Sequence, residues 1–183
     1  MNNFEKTQKT ISEICKLLNM SSEDIHVQIC DHLSLEDGTE IASAACFVEG
    51  SDVDNTFPHH LISLHRRPLA TFNDKLKYLS DIAFELYQIN EYTLAFDEQM
   101  EHPRHEIFDP VNICADAFSV FLVCLCGEYT IRDAADLILS SLRRKNMGAY
   151  RKRVHVAIEF KQEFDSHDSY MDFKKNWENI WEI

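Results

Sequence analysis

One short segment combines carboxylates and imidazoles at a spacing that suits a metal ion. Glu98 and His102 lie four positions apart and would share one face of a helix, with Glu101 beside them. Pro103 would end that helix and turn His105 back toward the same face. Carboxylate and imidazole groups together suit a divalent metal, as in a metal-dependent hydrolase. A solvated helix end would show the same residues, so both interpretations stay open.

The other common catalytic motifs are missing from the sequence. The four glycines are isolated, which excludes a phosphate-binding loop, and there is no G-x-S-x-G, C-x-x-C or H-E-x-x-H motif. A di-iron bundle needs Glu-x-x-His twice, and Glu23 with His26 supplies it once. The six cysteines have no regular close spacing, so we expect free thiols, with Cys46 packed rather than reactive. We therefore expect no cofactor, select no catalytic residue, and consider an enzyme less well supported than a binding protein.

The most unusual feature of the chain is an acidic stretch over residues 17–65. It has no lysine or arginine, and it contains five histidines and nine carboxylates: Glu23, Asp24, Asp31, Glu36, Asp37, Glu40, Glu49, Asp52 and Asp54. So much uncompensated charge repels itself, and a basic partner docked on it would relieve the repulsion. Solubility alone could also explain the charge.

The basic residues are equally uneven. Six of the 18 lysines and arginines fall in an 11-residue basic segment that contains no acid: Arg143, Arg144, Lys145, Arg151, Lys152 and Arg153. This segment is the best nucleic-acid candidate, with Tyr150 available to stack on a base. The net charge of -13 would repel phosphates from the rest of the surface, so we expect no nucleic acid and favour a solvated turn or an intramolecular clamp onto the acidic surface.

Helical patterns cover most of the chain. The sequence predicts an all-α, bundle-like fold in a single acidic domain over residues 1–183, with a minor β element near residues 39–49 and an irregular acidic segment at 39–58. Capping residues and apolar spacing place helices at residues 3–19, 21–33, 73–102, 110–127, 130–146, 149–164 and 169–183. The helix at 110–127 is apolar on nearly every face and should be central. The last helix carries an aromatic stripe that should pack on the domain or on a second copy. The stripe consists of Tyr170, Phe173, Trp177, Ile180 and Trp181.

These observations favour an acidic cytoplasmic protein that binds a basic protein partner, with no membrane association. Inhibitors such as immunity proteins, which block a nuclease or another nucleic-acid-binding protein, have this physical character. The expected contact residues are Asp31, Glu36, Asp37, Glu40, Glu49, Asp52 and Asp54, with Phe57 or Leu35 as an apolar anchor. The alternatives are a metal-dependent hydrolase that uses Glu98, Glu101, His102 and His105, and a regulatory protein that forms homo-oligomers through its last helix.

Overall fold

The computed structural model describes residues 1–35, 37–48, 59–96 and 108–183. Within these ranges the chain is mostly helical, as predicted, and a three-stranded sheet joins seven helices. The helices are α1 Asn3–Leu17, α2 Phe72–Phe96, α3 Pro110–Gly127, α4 Ile131–Ile138, α5 Ser140–Lys145, α6 Met147–Phe164 and α7 Asp168–Trp181. The strands are β1 Ile25–Cys30, β2 Ser43–Val48 and β3 His59–His65.

Helix α3 forms the centre of the core, as predicted. Asp109 caps it by accepting hydrogen bonds from the backbone N–H groups of Val111 and Asn112 at 2.7 and 3.2 Å, and Pro110 occupies its first turn. Helices α2, α4, α6 and α7 pack around it. Although α3 is long and apolar enough to span a bilayer, 72% of that stretch is buried inside the protein. Burial by neighbouring helices explains why this helix is apolar on every side.

Helix α3 ends at Gly127, where the sequence predicted its end. The left-handed residue is Glu128, with a φ of 53°. Gly127 meets a steric requirement instead, because a Cβ atom there would lie 2.9 Å from Tyr129 Cδ2 and 3.0 Å from Leu76 Cδ1. The glycine therefore lets α2 and the chain after α3 approach closely.

The sheet corrects the prediction of a helix at residues 21–33. Residues 25–30 form β1, whose Ile25, Val27 and Ile29 alternate toward the interior. β3 lies at the centre, pairing with β1 in parallel and with β2 antiparallel, so that Val27 and Ala45 both lie opposite the fully buried Ile62. β2 confirms the predicted β element near residues 39–49. The inner face of the sheet packs on α2.

Two other helix predictions need correction. The helix predicted from Asn73 begins at Phe72, because Thr71 caps it: the Asp74 backbone N–H donates to the Thr71 hydroxyl at 3.1 Å. The helix predicted at 130–146 divides into α4 and α5 at Leu139, whose φ of −108° and ψ of 20° leave the helical region.

The aromatic stripe of α7 packs against its own chain, as one of the two predicted arrangements requires. Trp177 is fully buried and Trp181 is 2% exposed. The Trp181 indole N–H donates to the Thr10 hydroxyl at 3.1 Å, and the Lys75 ammonium donates to the Trp181 carbonyl at 3.1 Å. These bonds hold α7 to α1 and α2.

Candidate functional site

The predicted contact residues that the structure describes gather on one short hairpin between β1 and β2. We call residues 31–35 and 37–41 the acidic hairpin. Its two arms are joined by a hydrogen bond from the Ile41 N–H to the Leu33 carbonyl at 3.0 Å and by an antiparallel bridge between Ser34 and Glu40. The Leu35 N–H donates to the Thr39 carbonyl at 2.9 Å and closes the turn. The hairpin is thus held in shape by its own backbone.

The tip of the acidic hairpin presents an apolar side chain beside a carboxylate. Leu35 is 39% exposed, and Gly38 allows the tight turn with a φ of 83°. Asp37 Oδ1 accepts a hydrogen bond from the Thr39 backbone N–H at 2.9 Å, and this bond lowers the pKa of Asp37. Asp37 therefore keeps its negative charge into mildly acidic solution.

The base of the acidic hairpin carries two more exposed carboxylates, Asp31 and Glu40. Asp31 pairs with Arg66 at 3.1 Å, with both side chains about two-thirds exposed at 69% and 65%. An ion pair in such exposure contributes little to stability and neutralises only part of the local charge. Three exposed carboxylates and one exposed leucine thus lie on the same short hairpin, and among the described residues Arg66 forms an ion pair with one of those carboxylates.

Strand β1 extends the acidic surface away from the hairpin. It is an edge strand, and no described strand pairs with its outer side. Glu23 and Asp24, both exposed, precede it at the end opposite the hairpin. Six residues of β strand span roughly 20 Å, which is more than the Debye length of about 8 Å at physiological salt. The charges at the two ends are therefore largely screened from each other, with three exposed carboxylates on the hairpin and two before β1.

The structure describes only some of the predicted site residues. Glu36, Glu49, Asp52, Asp54 and Phe57 lie outside the described residues, as do the metal candidates Glu98, Glu101, His102 and His105. Within the described part of the chain, no group of three or more His, Cys, Asp or Glu side chains could hold a metal ion. Glu23 and His26 do not share a helical turn, because His26 lies in β1.

The cysteines differ in part from the prediction. All six are free, and three of them, Cys15, Cys124 and Cys126, are buried. Burial raises the pKa of the Cys15 thiol to about 11. Cys46, predicted to be packed, is exposed because its position in β2 points away from the helices.

Part of the basic segment forms intramolecular ion pairs, although the carboxylates belong to α3 and α4 and not to the acidic stretch. Arg153 is 3% exposed and forms an ion pair with Asp116 of α3, while its guanidinium also donates to the Ala149 carbonyl at 3.2 Å. Burial raises the pKa of Asp116, and the neighbouring Arg153 opposes that shift. Arg144, Lys145, Arg151 and Lys152 remain exposed.

Tyr150 is not available to stack on a base, contrary to the prediction. It is 5% exposed, and its hydroxyl donates to Asp136 Oδ1 at 2.5 Å. Arg143 binds the other oxygen of Asp136 at 2.5 Å and lies 5.7 Å above the Tyr150 ring. The hydrogen bond from the Tyr150 hydroxyl is the main cause that lowers the pKa of Asp136, and the contact with Arg143 lowers it further.

These contacts form one wall of a surface groove of about 270 Å³, which we call the basic groove. It is lined by Arg132, Arg143, Met147, Tyr150, Arg151 and Val154. Arg132, Met147 and Val154 are not among the residues predicted from the sequence. The signal was present, because residues 147, 150, 151 and 154 follow the spacing of one helical face.

A second, smaller cavity of about 180 Å³ lies between α2, α3, the end of α4 and β2. Its polar lining consists of Ser43, Ser80, Asp81, Asp116 and Ser119. Asp81 pairs with Arg67, and the Ser43 hydroxyl donates to Glu85 at 2.7 Å. Burial raises the pKa of Asp81, and Arg67 opposes the shift. Because both aspartates are already paired with arginines, we interpret this cavity as part of the polar support of the fold.

The chain matches no protein-family model, no curated protein and no solved structure.

Proposed function

We propose that this protein is a binding protein that engages a basic protein partner through its acidic hairpin. The observation that carries the proposal is that the exposed carboxylates Asp31, Asp37 and Glu40 lie on the same short hairpin as the exposed side chain of Leu35. Carboxylates steer a basic partner into the encounter, and an apolar side chain that enters a pocket holds the complex together. The hydrogen bonds across the hairpin reduce the conformational entropy that binding would cost.

The edge strand supports this mode of binding. The outer side of β1 offers backbone N–H and C=O groups to an extended segment of a partner. The partner's segment would lie along β1, with one end at the acidic hairpin and the other end at Glu23 and Asp24. Lysines or arginines at both ends of the segment would therefore complement the two acidic ends of the strand.

Nucleic-acid-binding proteins are the class of partner that this charge pattern suits best. Their phosphate-binding surfaces are rich in lysine and arginine, and carboxylates can occupy the positions of phosphates. An inhibitor or immunity protein that blocks a nuclease would act in this way. The six free cysteines suit a reducing compartment, and we propose the cytoplasm as the site of action.

A capture experiment with three baits tests this function. The wild-type protein is compared with a hairpin variant, Asp31→Lys/Glu40→Lys, whose two carboxylates do not hold the turn. The control variant, Glu163→Lys/Asp172→Lys, reverses two exposed carboxylates on α6 and α7 that have no ion-pair partner in the described residues. We expect one basic protein, identified by mass spectrometry, to bind the wild-type and control baits at low salt and to be absent from the hairpin variant. Equal capture by all three baits would contradict the proposal.

A further inference from the structure

The basic groove presents positive charge around an apolar floor. Arg132, Arg143 and Arg151 line it, and Arg143 is paired with Asp136. Arg132 and Arg151 have no ion-pair partner in the part of the chain that the structure describes. Met147, which is 42% exposed, and Val154 contribute apolar surface. This combination suits a ligand with an apolar group flanked by negative charges.

The size and walls of the groove favour a protein segment over other anions. A volume of about 270 Å³ is below the usual range for small-molecule pockets, roughly 300 to 1,000 Å³, and suits a single anchoring side chain. A single-stranded nucleic acid would use an aromatic surface for base stacking, and Tyr150 is buried and bonded to Asp136. An acidic polypeptide with one protruding apolar residue meets both requirements of the groove.

The chain itself carries such a segment. The acidic hairpin carries the exposed Leu35 together with the exposed carboxylates Asp31, Asp37 and Glu40, and backbone hydrogen bonds join its two arms. We infer that the basic groove of one copy of this protein docks the acidic hairpin of a second copy, with Leu35 entering the groove and the carboxylates contacting Arg132 and Arg151. A contact between one hairpin and one groove is small, so the association is weak and transient. It uses the hairpin of the proposed function, and a docked copy would therefore compete with a basic partner for that hairpin.

Charge-swapped variants test this docking by sedimentation velocity at protein concentrations up to about 500 μM and at about 50 mM salt, where screening is weak. The groove variant is Arg132→Glu/Arg151→Glu, and the hairpin variant is Asp31→Lys/Glu40→Lys. Lys9→Glu/Lys175→Glu is the control, because it reverses two exposed lysines on α1 and α7 and changes the net charge as the groove variant does. We expect the wild type and this control to associate, and each double variant to associate at least about tenfold more weakly.

The quadruple variant that combines the groove and hairpin changes restores opposite charges at the contact and the wild-type net charge. We expect it to associate as the wild type does, and we expect an equimolar mixture of the two double variants to form a mixed complex. Leu35→Ser should weaken association without any change in charge. No association of the wild type at low salt, or a quadruple variant as weak as the doubles, would overturn the inference.

The failure of this inference is distinguishable from the failure of the proposed function. The groove variant keeps its acidic hairpin and should still capture the basic partner. If the groove variant self-associates as strongly as the wild type while the hairpin variant still loses the basic partner, self-docking is wrong and the proposed function stands. If the charge-swapped variants associate as expected but no basic protein is captured, self-docking stands and the proposed function is wrong.

Discussion

The buried ion pair between Arg153 and Asp116 offers the sharpest test of how α6 is positioned. Arg153 has a side chain 4% exposed and Asp116 one 20% exposed, so removal of the guanidinium leaves a carboxylate in a largely water-poor environment. Arg153→Met keeps the apolar stem while deleting the charge. Because Tyr150 and Arg151 belong to the same helix, the pair also fixes the wall of the basic groove.

The expected cost follows from the protonation of Asp116. A carboxylate without its ion-pair partner can take up a proton instead of remaining charged. At about 1.36 kcal/mol per pH unit above the ordinary aspartate pKa of about 3.9, protonation at pH 7 costs about 4 kcal/mol. That figure is the upper limit of the electrostatic penalty. Loss of the hydrogen bond to the Ala149 carbonyl adds about 1 kcal/mol. We therefore expect Arg153→Met to lower the free energy of unfolding by about 3 to 5 kcal/mol at pH 7.

The pH dependence of this loss identifies its cause. In the variant the folded-state pKa of Asp116 lies above its unfolded value of about 3.9, so the variant loses stability as the pH rises through the interval between the two values. The electrostatic limit at pH 5 is only about 1.5 kcal/mol. The difference between the wild type and the variant should therefore shrink between pH 7 and pH 5 by at most about 2.7 kcal/mol, and by less to the extent that burial already raises the pKa of Asp116 in the wild type.

Chemical denaturation at both pH values measures these quantities. Lys152→Met, an exposed neighbour on α6, is the matched control and should change stability by less than about 0.5 kcal/mol. The double variant Asp116→Leu/Arg153→Met should recover most of the loss, since no charge is then stranded. A loss below about 1 kcal/mol for Arg153→Met, or an equal loss at pH 7 and pH 5, would refute the reasoning.

Three further predictions concern the fold. Phe118→Ala should cost about 3 to 5 kcal/mol in a denaturation titration, because Phe118 is 1% exposed in the core; an unchanged midpoint would mean that α3 is misplaced. Gly127→Ala should cost about 1 to 3 kcal/mol despite its better helix propensity, because the new Cβ would lie 2.9 Å from Tyr129; a gain in stability would contradict that close approach. Asp136→Asn should lower stability by less than about 1 kcal/mol, since Asp136 is 34% exposed. Because its folded pKa is lowered, that difference should be present above about pH 4 and vanish as the pH falls through the folded value.

Local signals made some elements predictable from the sequence. Asp109 and Pro110 begin α3 with a cap and a fixed φ, and the apolar run that follows requires burial on every side. The cap of α4 by Thr130 is equally local, with the Asp133 N–H donating to its hydroxyl at 3.1 Å. Such features depend on residues within one helical turn, which a sequence displays directly.

Elements that depend on distant residues were harder to predict. Ser21 and Glu23 resemble a helix start, while Ile25, Val27 and Ile29 alternate as a strand does. Residues 25–30 form a strand and not a helix because they pair in parallel with β3. This partner lies much later in the chain, so the local sequence pattern does not indicate it. Tertiary pairing therefore overrode a reasonable capping signal.

The candidate site was predictable in composition but not in shape. The excess of carboxylates was plain, whereas the hydrogen bonds that close the acidic hairpin involve backbone groups without a sequence signature. The basic segment was also evident, yet Arg153 and Arg143 are partly neutralised by Asp116 and Asp136 from other helices. Charge counts along the chain could not identify those partners.

The association rate with the basic partner tests the central proposal most directly. The rate constant is measured for the wild type, for Asp31→Lys/Glu40→Lys and for the control Glu163→Lys/Asp172→Lys, from about 0.05 to 1 M salt. We expect the hairpin variant to associate about tenfold more slowly at low salt, with the difference disappearing near 1 M, and the control to stay close to the wild type. Identical rates for the hairpin and control variants at every salt concentration would show that the acidic hairpin is not the contact surface.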